Sequence, residues 1–153
     1  MNSVGPRKSR ANKITKTLNS EKLIITTDKG VRLTAEFDKA STKTKNKKSP
    51  TLVILIHGWE GSSQSAYQVT TAHYLLKQGF DVLRLNMRDH GESHHLNPEA
   101  FNSTLITEVG DAIKVFSTDR SYPSIFLAGF SLGGNFTLRI CLLYTSDAAD
   151  DGT

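Results

Sequence analysis

The sequence predicts a three-layer α/β fold, in which helices cover both faces of a mostly parallel sheet and a β-hairpin precedes that sheet. Residues 52–56 (LVILI) form a continuous apolar run, which is typical of a strand buried on both faces. From residue 51 onward, strand-like and helix-like patterns alternate, as they do around parallel sheets. Two short β-rich runs flank the turn Asp28-Lys29-Gly30, which predicts the hairpin. The length of 153 residues suits one domain.

The first 50 residues are expected to contain a leader, the hairpin and a polar loop. Residues 1–20 combine basic side chains with Ser, Asn and Thr and offer little apolar surface, so we expect a disordered basic leader. The two hairpin strands are expected at residues 22–27 and 31–37. Residues 39–50 (KASTKTKNKKSP) are expected to form a charged loop.

The segment after this loop alternates between strands and amphipathic helices. The predicted helices carry apolar residues on one face, and the first ends at Gly79 while the second ends before Pro123. Apolar or alternating runs predict the strands. In chain order, we expect a strand at 52–56, a helix at 65–78, a strand at 80–85, a helix at 104–119, a strand at 124–128 and a helix that begins near Asn135.

Composition excludes several classes of protein. No run of about 18 apolar residues is present, so no integral membrane segment is predicted. The basic N-terminus is not followed by an apolar stretch, which argues against a secretory signal and for a cytoplasmic protein. The single cysteine, Cys141, cannot form an internal disulfide framework or a Cys-rich zinc site.

Charge is distributed unevenly along the chain. Residues 1–50 carry 13 Lys or Arg and 4 Asp or Glu, a balance of +9, whereas residues 51–153 carry 6 and 11, a balance of −5. A basic segment could bind nucleic acid or an anionic surface. No aromatic residue lies among the lysines before Phe37, which favours a solvated segment. We therefore expect no nucleic-acid partner, and the sequence leaves the oligomeric state open.

The pentapeptide Gly129-Phe130-Ser131-Leu132-Gly133 carries the strongest chemical signal in the chain. It is a G-x-S-x-G motif between an apolar strand and a helix, the position of a nucleophile elbow. Gly129 and Gly133 leave room for a strained serine backbone. Ser131 would then be the nucleophile, and the N–H of Leu132 could stabilise an oxyanion. The alternative is a Gly-rich turn whose serine caps the helix, but the strand–turn–helix context favours the elbow.

A second motif, His57-Gly58-Trp59-Glu60-Gly61, directly follows the apolar run at 52–56. An oxyanion hole needs a second backbone N–H from a loop after an earlier strand, and we assign this role to Trp59. Gly58 and Gly61 would let the loop curl over the site. His57 precedes Ser131 and adjoins a strand end, so we expect it to hold the loop and not to act as the base.

These two motifs resemble those of the α/β-hydrolase superfamily. GFSLGGN (residues 129–135) and HGWEG (57–61) are similar to the motifs of a branch of predicted esterases whose elbow reads G-[FY]-S-L-G-G-N. Residues 86–93 (NMRDHGES) lie where the family often has D-x-R-G-x-G-x-S, with Asn86 replacing Asp and Asp89 replacing Gly. The resemblance covers about residues 22–140. It implies a three-layer α/β-hydrolase fold and a serine esterase that needs no metal or organic cofactor.

Three histidines in the loop after residue 86 could suggest a metal site. His90 and His94 are four positions apart and His95 is adjacent. A zinc site needs ligands on a helix or paired strands, whereas Gly91 breaks any helix here and Pro98 follows. We therefore expect no metal and place these histidines at the mouth of a substrate pocket.

The rest of a catalytic triad is absent from the chain. In this fold an acid and a histidine follow the serine in chain order. Residues 132–153 contain Asp147, Asp150 and Asp151 but no histidine, and all five histidines lie earlier. The resemblance implies further strands that carry both residues. We therefore expect a fold truncated after the elbow and an inactive chain.

The C-terminal residues differ from the rest of the sequence. Residues 141–150 (CLLYTSDAAD) resemble the conceptual translation of a transposase-type sequencing adapter. We therefore expect a leader at 1–20, the N-terminal part of an α/β-hydrolase domain at 21–140, and a non-native tail at 141–153. The alternative is a genuine short tail on a small domain.

The leading functional hypothesis is a serine-dependent hydrolase of carboxylic esters. The full-length parent of this chain would act on a small-molecule ester through an acyl-enzyme. The alternative is a non-catalytic ligand-binding or interaction protein on the same fold, because a fold does not fix a function. The sequence does not identify the ester, and thioesters, amides and lactones share the same chemistry.

Overall fold

A mixed sheet of five strands forms the centre of the described chain, which comprises residues 5–41 and 50–150 of the computed structural model. The strand order is β1-β2-β4-β3-β5. In chain order the elements are α1 (Gly5–Thr17), β1 (Glu21–Thr26), β2 (Arg32–Asp38), β3 (Thr51–Ile56), α2 (Ala66–Lys77), β4 (Asp81–Leu85), α3 (Ile106–Arg120), β5 (Ser124–Gly129) and α4 (Leu132–Asp150).

The predicted hairpin is confirmed. β1 and β2 pair antiparallel, and the turn between them closes with a 2.9 Å hydrogen bond from the N–H of Thr27 to the carbonyl of Val31. Gly30 adopts a φ of +82° in this turn, which a residue with a side chain rarely adopts. β2 also pairs antiparallel with β4, so the hairpin forms one end of the main sheet.

The predicted parallel sheet is also confirmed. β3 pairs parallel with both β4 and β5 and is therefore central in this part of the sheet. Its residues alternate between the two faces. Leu52, Ile54 and Ile56 belong to the core beneath α3 and α4, whereas Val53 and Leu55 belong to the core beneath α2. Burial on both faces explains why this strand is an uninterrupted apolar run.

The basic leader differs from our expectation, because residues 5–17 form the helix α1. α1 packs against α2, and Ala11 is buried. Pro6 lies in the first turn of the helix, where its missing N–H costs nothing, and Lys and Arg are good helix formers. Disorder was expected because residues 1–20 contain few apolar side chains. In α1, Ala11 is buried and Ile14 is half-buried, so this segment does bury apolar side chains.

Some predictions fall outside the described residues, namely those for residues 1–4, for the loop at 42–49 and for residues 151–153. α4 continues past Cys141 to Asp150, so the helix does not break where we expected a non-native tail to begin. The origin of that tail stays a prediction. None of the described helices is long and apolar enough to cross a membrane.

The strand that leads to the serine motif lies at one edge of the sheet. β5 pairs with β3 on one side, and no other described strand pairs with it. Ile125 and Phe126 on β5 are exposed, Phe126 by 59%. An apolar strand on an open edge is unusual, since edges normally carry charges or are covered.

Candidate active site

Ser131 lies in a tight turn between β5 and α4 with a φ of +53°. This left-handed conformation costs a residue with a Cβ about 1–2 kcal/mol. A Cβ added to Gly129 would lie 2.1 Å from the carbonyl oxygen of Gly133, and one added to Gly133 would lie 2.2 Å from that of Ile56. Only glycine fits at these two positions. A tight, strained turn of this kind is the geometry of a nucleophile elbow.

Backbone hydrogen bonds hold the elbow against β3. The N–H of Phe130 donates to the carbonyl of Ile56 at 3.1 Å, and the N–H of Asn135 donates to the carbonyl of Ser131 at 3.1 Å. Ser131 itself is exposed, and its hydroxyl has no hydrogen-bond partner among the described residues. A fixed backbone therefore presents an accessible hydroxyl.

The loop at residues 57–61 lies directly against the elbow. A Cβ added to Gly58 would lie 3.2 Å from the Cβ of Ser131. The N–H of Gly58 donates to the hydroxyl of Tyr67 at 2.9 Å, and the N–H of Gly61 donates to the carbonyl of Gly58 at 3.0 Å. The loop thus curls back on itself beside Ser131, and Tyr67 anchors it to α2.

Two backbone amides near Ser131 remain available as donors. Within the described part of the chain, neither the N–H of Leu132 nor that of Trp59 has an acceptor. Leu132 is the first residue of α4, where the helix dipole adds positive partial charge. Trp59 follows Gly58, which contacts the elbow. Both amides are therefore unpaired among the described residues, as donors to an oxyanion would have to be.

His57 is fully buried, and both of its ring nitrogens are engaged. The N–H of Met87 donates to Nε2 at 3.0 Å, so Nδ1 carries the proton and donates to the carbonyl of Gly58 at 2.7 Å. The pKa of His57 is lowered from 6.5 to about 4, chiefly by burial and to a smaller extent by the neighbouring His90, while the hydrogen bond to the carbonyl of Gly58 opposes the shift. A neutral histidine with no free nitrogen ties the loop at 57–61 to the end of β4.

Ser63 anchors the far end of the same loop through three groups. Its carbonyl accepts a 2.7 Å hydrogen bond from Arg84 Nη1. Its N–H donates to Asn86 Oδ1 at 2.7 Å, and its hydroxyl accepts from Asn86 Nδ2 at 3.1 Å. No local sequence pattern predicts roles for Ser63 and Arg84, because these hydrogen bonds join separate elements.

The loop at residues 86–93 is braced by a buried ion pair. Arg88 Nη2 lies 2.7 Å from Glu108 Oε2 on α3, and Arg88 Nη1 donates to the carbonyl of Glu99 at 3.0 Å. Asp89 has a φ of +61°, at the position where the resembling family usually has glycine. Asp is among the few residues that tolerate this conformation.

The three histidines of this loop, His90, His94 and His95, have different surroundings. The ring of His90 lies 4.8 Å from that of His57, and its Nδ1 is 2.7 Å from the carbonyl of Arg88. His94 is exposed, with Nδ1 3.9 Å from Asp89 Oδ1. His95 is exposed as well. Among the described residues, no three His, Cys, Asp or Glu side chains could hold a metal ion together.

Two aromatic pairs flank the elbow, and sequence reasoning missed one partner of each. The rings of Trp59 and Phe101 meet edge to face, with centroids 5.5 Å apart. The rings of Tyr67 and Phe130 lie 4.7 Å apart on the other side. Phe101 and Tyr67 lie outside both motifs, and only the fold brings them to the site.

This combination of sheet order, elbow and facing loop defines a protein of the α/β-hydrolase class. The family model described as alpha/beta hydrolase fold matches residues 51–149, and the chain therefore belongs to that family. Solved structures with a similar fold include an esterase of Pyrococcus furiosus, with a TM-score of 0.66 and 23% identity over 84% of this chain and 47% of that one. Est1E of Butyrivibrio proteoclasticus, solved with bound ferulic acid, gives a TM-score of 0.67 and 24% identity over 81% and 48%.

Among curated proteins, the chain is similar to protein phosphatase methylesterase 1. It is 30% identical over 109 residues to that protein from Candida albicans, which covers 71% of this chain and 30% of the relative. It is 32% identical over 84 residues to the human protein, which covers 54% and 21%. The chain thus spans less than a third of the length of these curated relatives and about half of the solved structures.

Proposed function

We propose that this chain carries the nucleophile and the oxyanion hole of a serine-dependent hydrolase of carboxylic esters. The observation that carries the proposal is the strained Ser131, which lies in tight contact with the loop at 57–61, since a Cβ added to Gly58 would lie 3.2 Å from the Cβ of Ser131. Strain of this kind persists where the surrounding structure fixes it, and such positions cluster at active sites. The family match to alpha/beta hydrolases supports the same reaction class.

In this reaction, Ser131 Oγ attacks the acyl carbon of the ester and loses its proton to a general base. The electron pair of the carbonyl bond moves to oxygen, and the resulting oxyanion accepts hydrogen bonds from the N–H groups of Leu132 and Trp59. The alkoxide leaves with the proton that the base returns, and water then hydrolyses the acyl-enzyme. One such donor is worth about 10²–10³ in kcat in a hydrolase where this was measured.

The general base and its acid partner are proposed to lie in a longer form of the protein. No histidine follows Ser131 in the 153 residues. His57 cannot serve as the base, because Met87 and Gly58 occupy its nitrogens and it is buried. We therefore expect the 153-residue chain to show no turnover of esters, since an unassisted serine hydroxyl is a weak nucleophile at neutral pH.

A narrower candidate substrate is the methyl ester of a carboxyl group. The curated relatives are named methylesterases, and one of them aligns with 71% of this chain. A methyl ester fits the proposed site, because the Ser131 hydroxyl is exposed and only the carbonyl needs to reach the two amides. Release of methanol from methylated peptides, compared with acetate release from nitrophenyl acetate, would separate the narrow from the broad activity.

The decisive experiment labels the serine in a longer form of the protein that contains residues 1–140 and the proposed base and acid. A fluorophosphonate should modify Ser131, and Ser131→Ala should abolish both the labelling and the hydrolysis of nitrophenyl esters. Ser103→Ala is the matched control, since Ser103 is exposed and lies in a loop outside the site. Equal labelling of the two variants would refute the assignment, and absence of labelling in the parent would favour the non-catalytic alternative.

A further inference from the structure

An exposed aromatic ring stands beside the proposed oxyanion hole. Trp59 is 59% exposed, although tryptophan is among the side chains that gain most from burial. Its ring meets Phe101 edge to face, with an interplanar angle of 62°. A large apolar surface left open beside a reactive group is the usual form of a ligand subsite.

The ring of Phe101 supports Trp59 and is itself held by further contacts. Its ring lies 4.9 Å from that of His90 at 89° and 6.5 Å from that of the fully buried Phe136. Its N–H donates to the carboxylate of Asp89. Trp59 therefore rests on a support that is fixed by both rings and backbone, and a ligand that stacks there has little ordering cost to overcome.

The exposed ring of this surface and the buried ring that supports it both belong to elements that build the site. Trp59 follows Gly58, which contacts Ser131. Phe136 lies on α4, the helix that begins directly after Ser131. The surface is thus attached to the loop at 57–61 and to α4, the two elements that supply the amides of Trp59 and Leu132.

The backbone of Trp59 determines where a substrate would extend. An ester oxygen that accepts a hydrogen bond from the Trp59 N–H brings its acyl carbon within a few ångströms of the side chain of the same residue. A methyl group is too small to cover the indole ring from there, whereas a phenyl ring on a short linker can stack on it.

We propose that Trp59 and Phe101 form an aromatic shelf that binds the aryl part of the substrate, so that the enzyme prefers arylalkyl esters to short aliphatic ones. This inference rests on the proposed function, because it takes the Trp59 amide as an oxyanion donor. The aryl group can belong to the acyl or to the alcohol part of the ester, and the two cases share one chemistry.

The test uses Trp59 as its own reporter, since it is the single tryptophan of the chain. The 153-residue chain with Ser131→Ala, isolated as a monomer, is titrated with methyl 3-phenylpropanoate, 2-phenylethyl acetate and methyl acetate while tryptophan emission is recorded. At least one aryl ester should give a saturable change, with an apparent Kd about tenfold below that of methyl acetate. The first two probes distinguish an acyl-side from an alcohol-side aryl group.

Variants of Phe101 test whether aryl esters bind to the aromatic shelf. Phe101→Leu should weaken aryl-ester binding several-fold, and Phe101→Tyr, which keeps the ring, should restore it. Tyr74→Ala is the control, because Tyr74 is about as exposed as Trp59 but lies on α2, outside this aromatic group. A response to methyl acetate as strong as to the aryl esters, or unchanged binding in Phe101→Leu, would overturn the shelf.

The two proposals fail in different ways. If the longer protein does not hydrolyse nitrophenyl esters while Trp59 still responds to aryl esters, the esterase assignment is wrong and the shelf remains a binding site. If hydrolysis proceeds but Trp59 does not discriminate among the probes, the shelf alone is wrong.

Discussion

Two adjacent glycines at the start of α4 offer a sharp test of the elbow geometry. A Cβ at position 133 would lie 2.2 Å from the carbonyl oxygen of Ile56 and 2.4 Å from that of His57, whereas real Cβ atoms essentially never approach closer than 3.0 Å. A Cβ at position 134 would meet its nearest atom, the carbonyl oxygen of Gly129, at 3.3 Å. Gly133→Ala and Gly134→Ala add the same methyl group, but only the methyl group at position 133 would overlap backbone atoms.

The expected free energies follow from these distances. Overpacking usually costs about 1–3 kcal/mol when side chains can yield. The obstacles to Gly133→Ala are backbone atoms at the end of the central strand β3, so we expect a loss of about 3 kcal/mol or more. Gly134→Ala should stay within about 1 kcal/mol of the parent, because the helix propensity of alanine offsets a small adjustment.

Urea unfolding followed by the emission of Trp59 measures both variants. A loss of about 3 kcal/mol moves the midpoint by roughly 1–3 M urea. The slope of free energy against urea should not change if both variants unfold in the same way. Equal midpoints for Gly133→Ala and Gly134→Ala would refute the claim that α4 begins in direct contact with β3.

Three further predictions concern strain, protonation and buried charge. Ser131→Gly should raise the free energy of unfolding by about 0.5–1 kcal/mol, because glycine relieves the positive φ at the cost of a more flexible unfolded chain; a lower midpoint in urea would contradict this. The pKa of His57 is about 4 in the folded chain against 6.5 in the unfolded chain, so the unfolded chain binds a proton that the folded chain does not. The free energy of unfolding should therefore fall as the pH drops from about 6.5 to 4, by at most about 3.4 kcal/mol, and this part of the pH dependence should disappear in His57→Gln. Arg84→Met should lower the free energy of unfolding by about 3–5 kcal/mol, because it leaves the buried carboxylates of Glu36 and Asp38 without a positive partner. The control Lys29→Ala, which removes an exposed ion pair with Asp111, should lower it by less than about 1 kcal/mol. Similar urea midpoints for the two variants would be inconsistent with the buried network.

The parts of the fold that are predictable from the sequence are those encoded by local patterns. β3 is recognisable because both of its faces are buried from Leu52 to Ile56, and each of these five residues is apolar. The elbow is recognisable because its glycines must stand at fixed positions around the serine. Family resemblance added the meaning of the loop at 57–61, which spacing alone does not reveal.

The contacts that the sequence did not predict join residues that are far apart. Phe101 reaches Trp59 only after α2, β4 and the loop at 86–93 have been placed. Ser63 is held by Arg84 and Asn86, whose side chains point from another strand and the loop after it. The helix α1 was missed for the opposite reason, since its polar composition suggests solvent and its single buried alanine is too weak a pattern to detect.

The position of β5 at the sheet edge has a consequence for how tightly the nucleophile is held. Each backbone N–H of β5 that points away from β3 lacks a strand partner among the described residues, so these amides should exchange hydrogen with solvent much faster than those of β3. Ser131 follows directly on this half-protected strand. Any segment that pairs with the free edge of β5 would slow this exchange and narrow the range of positions open to the serine hydroxyl. Completion of the sheet and preorganisation of the nucleophile would then be a single event, observable as protection of the β5 amides.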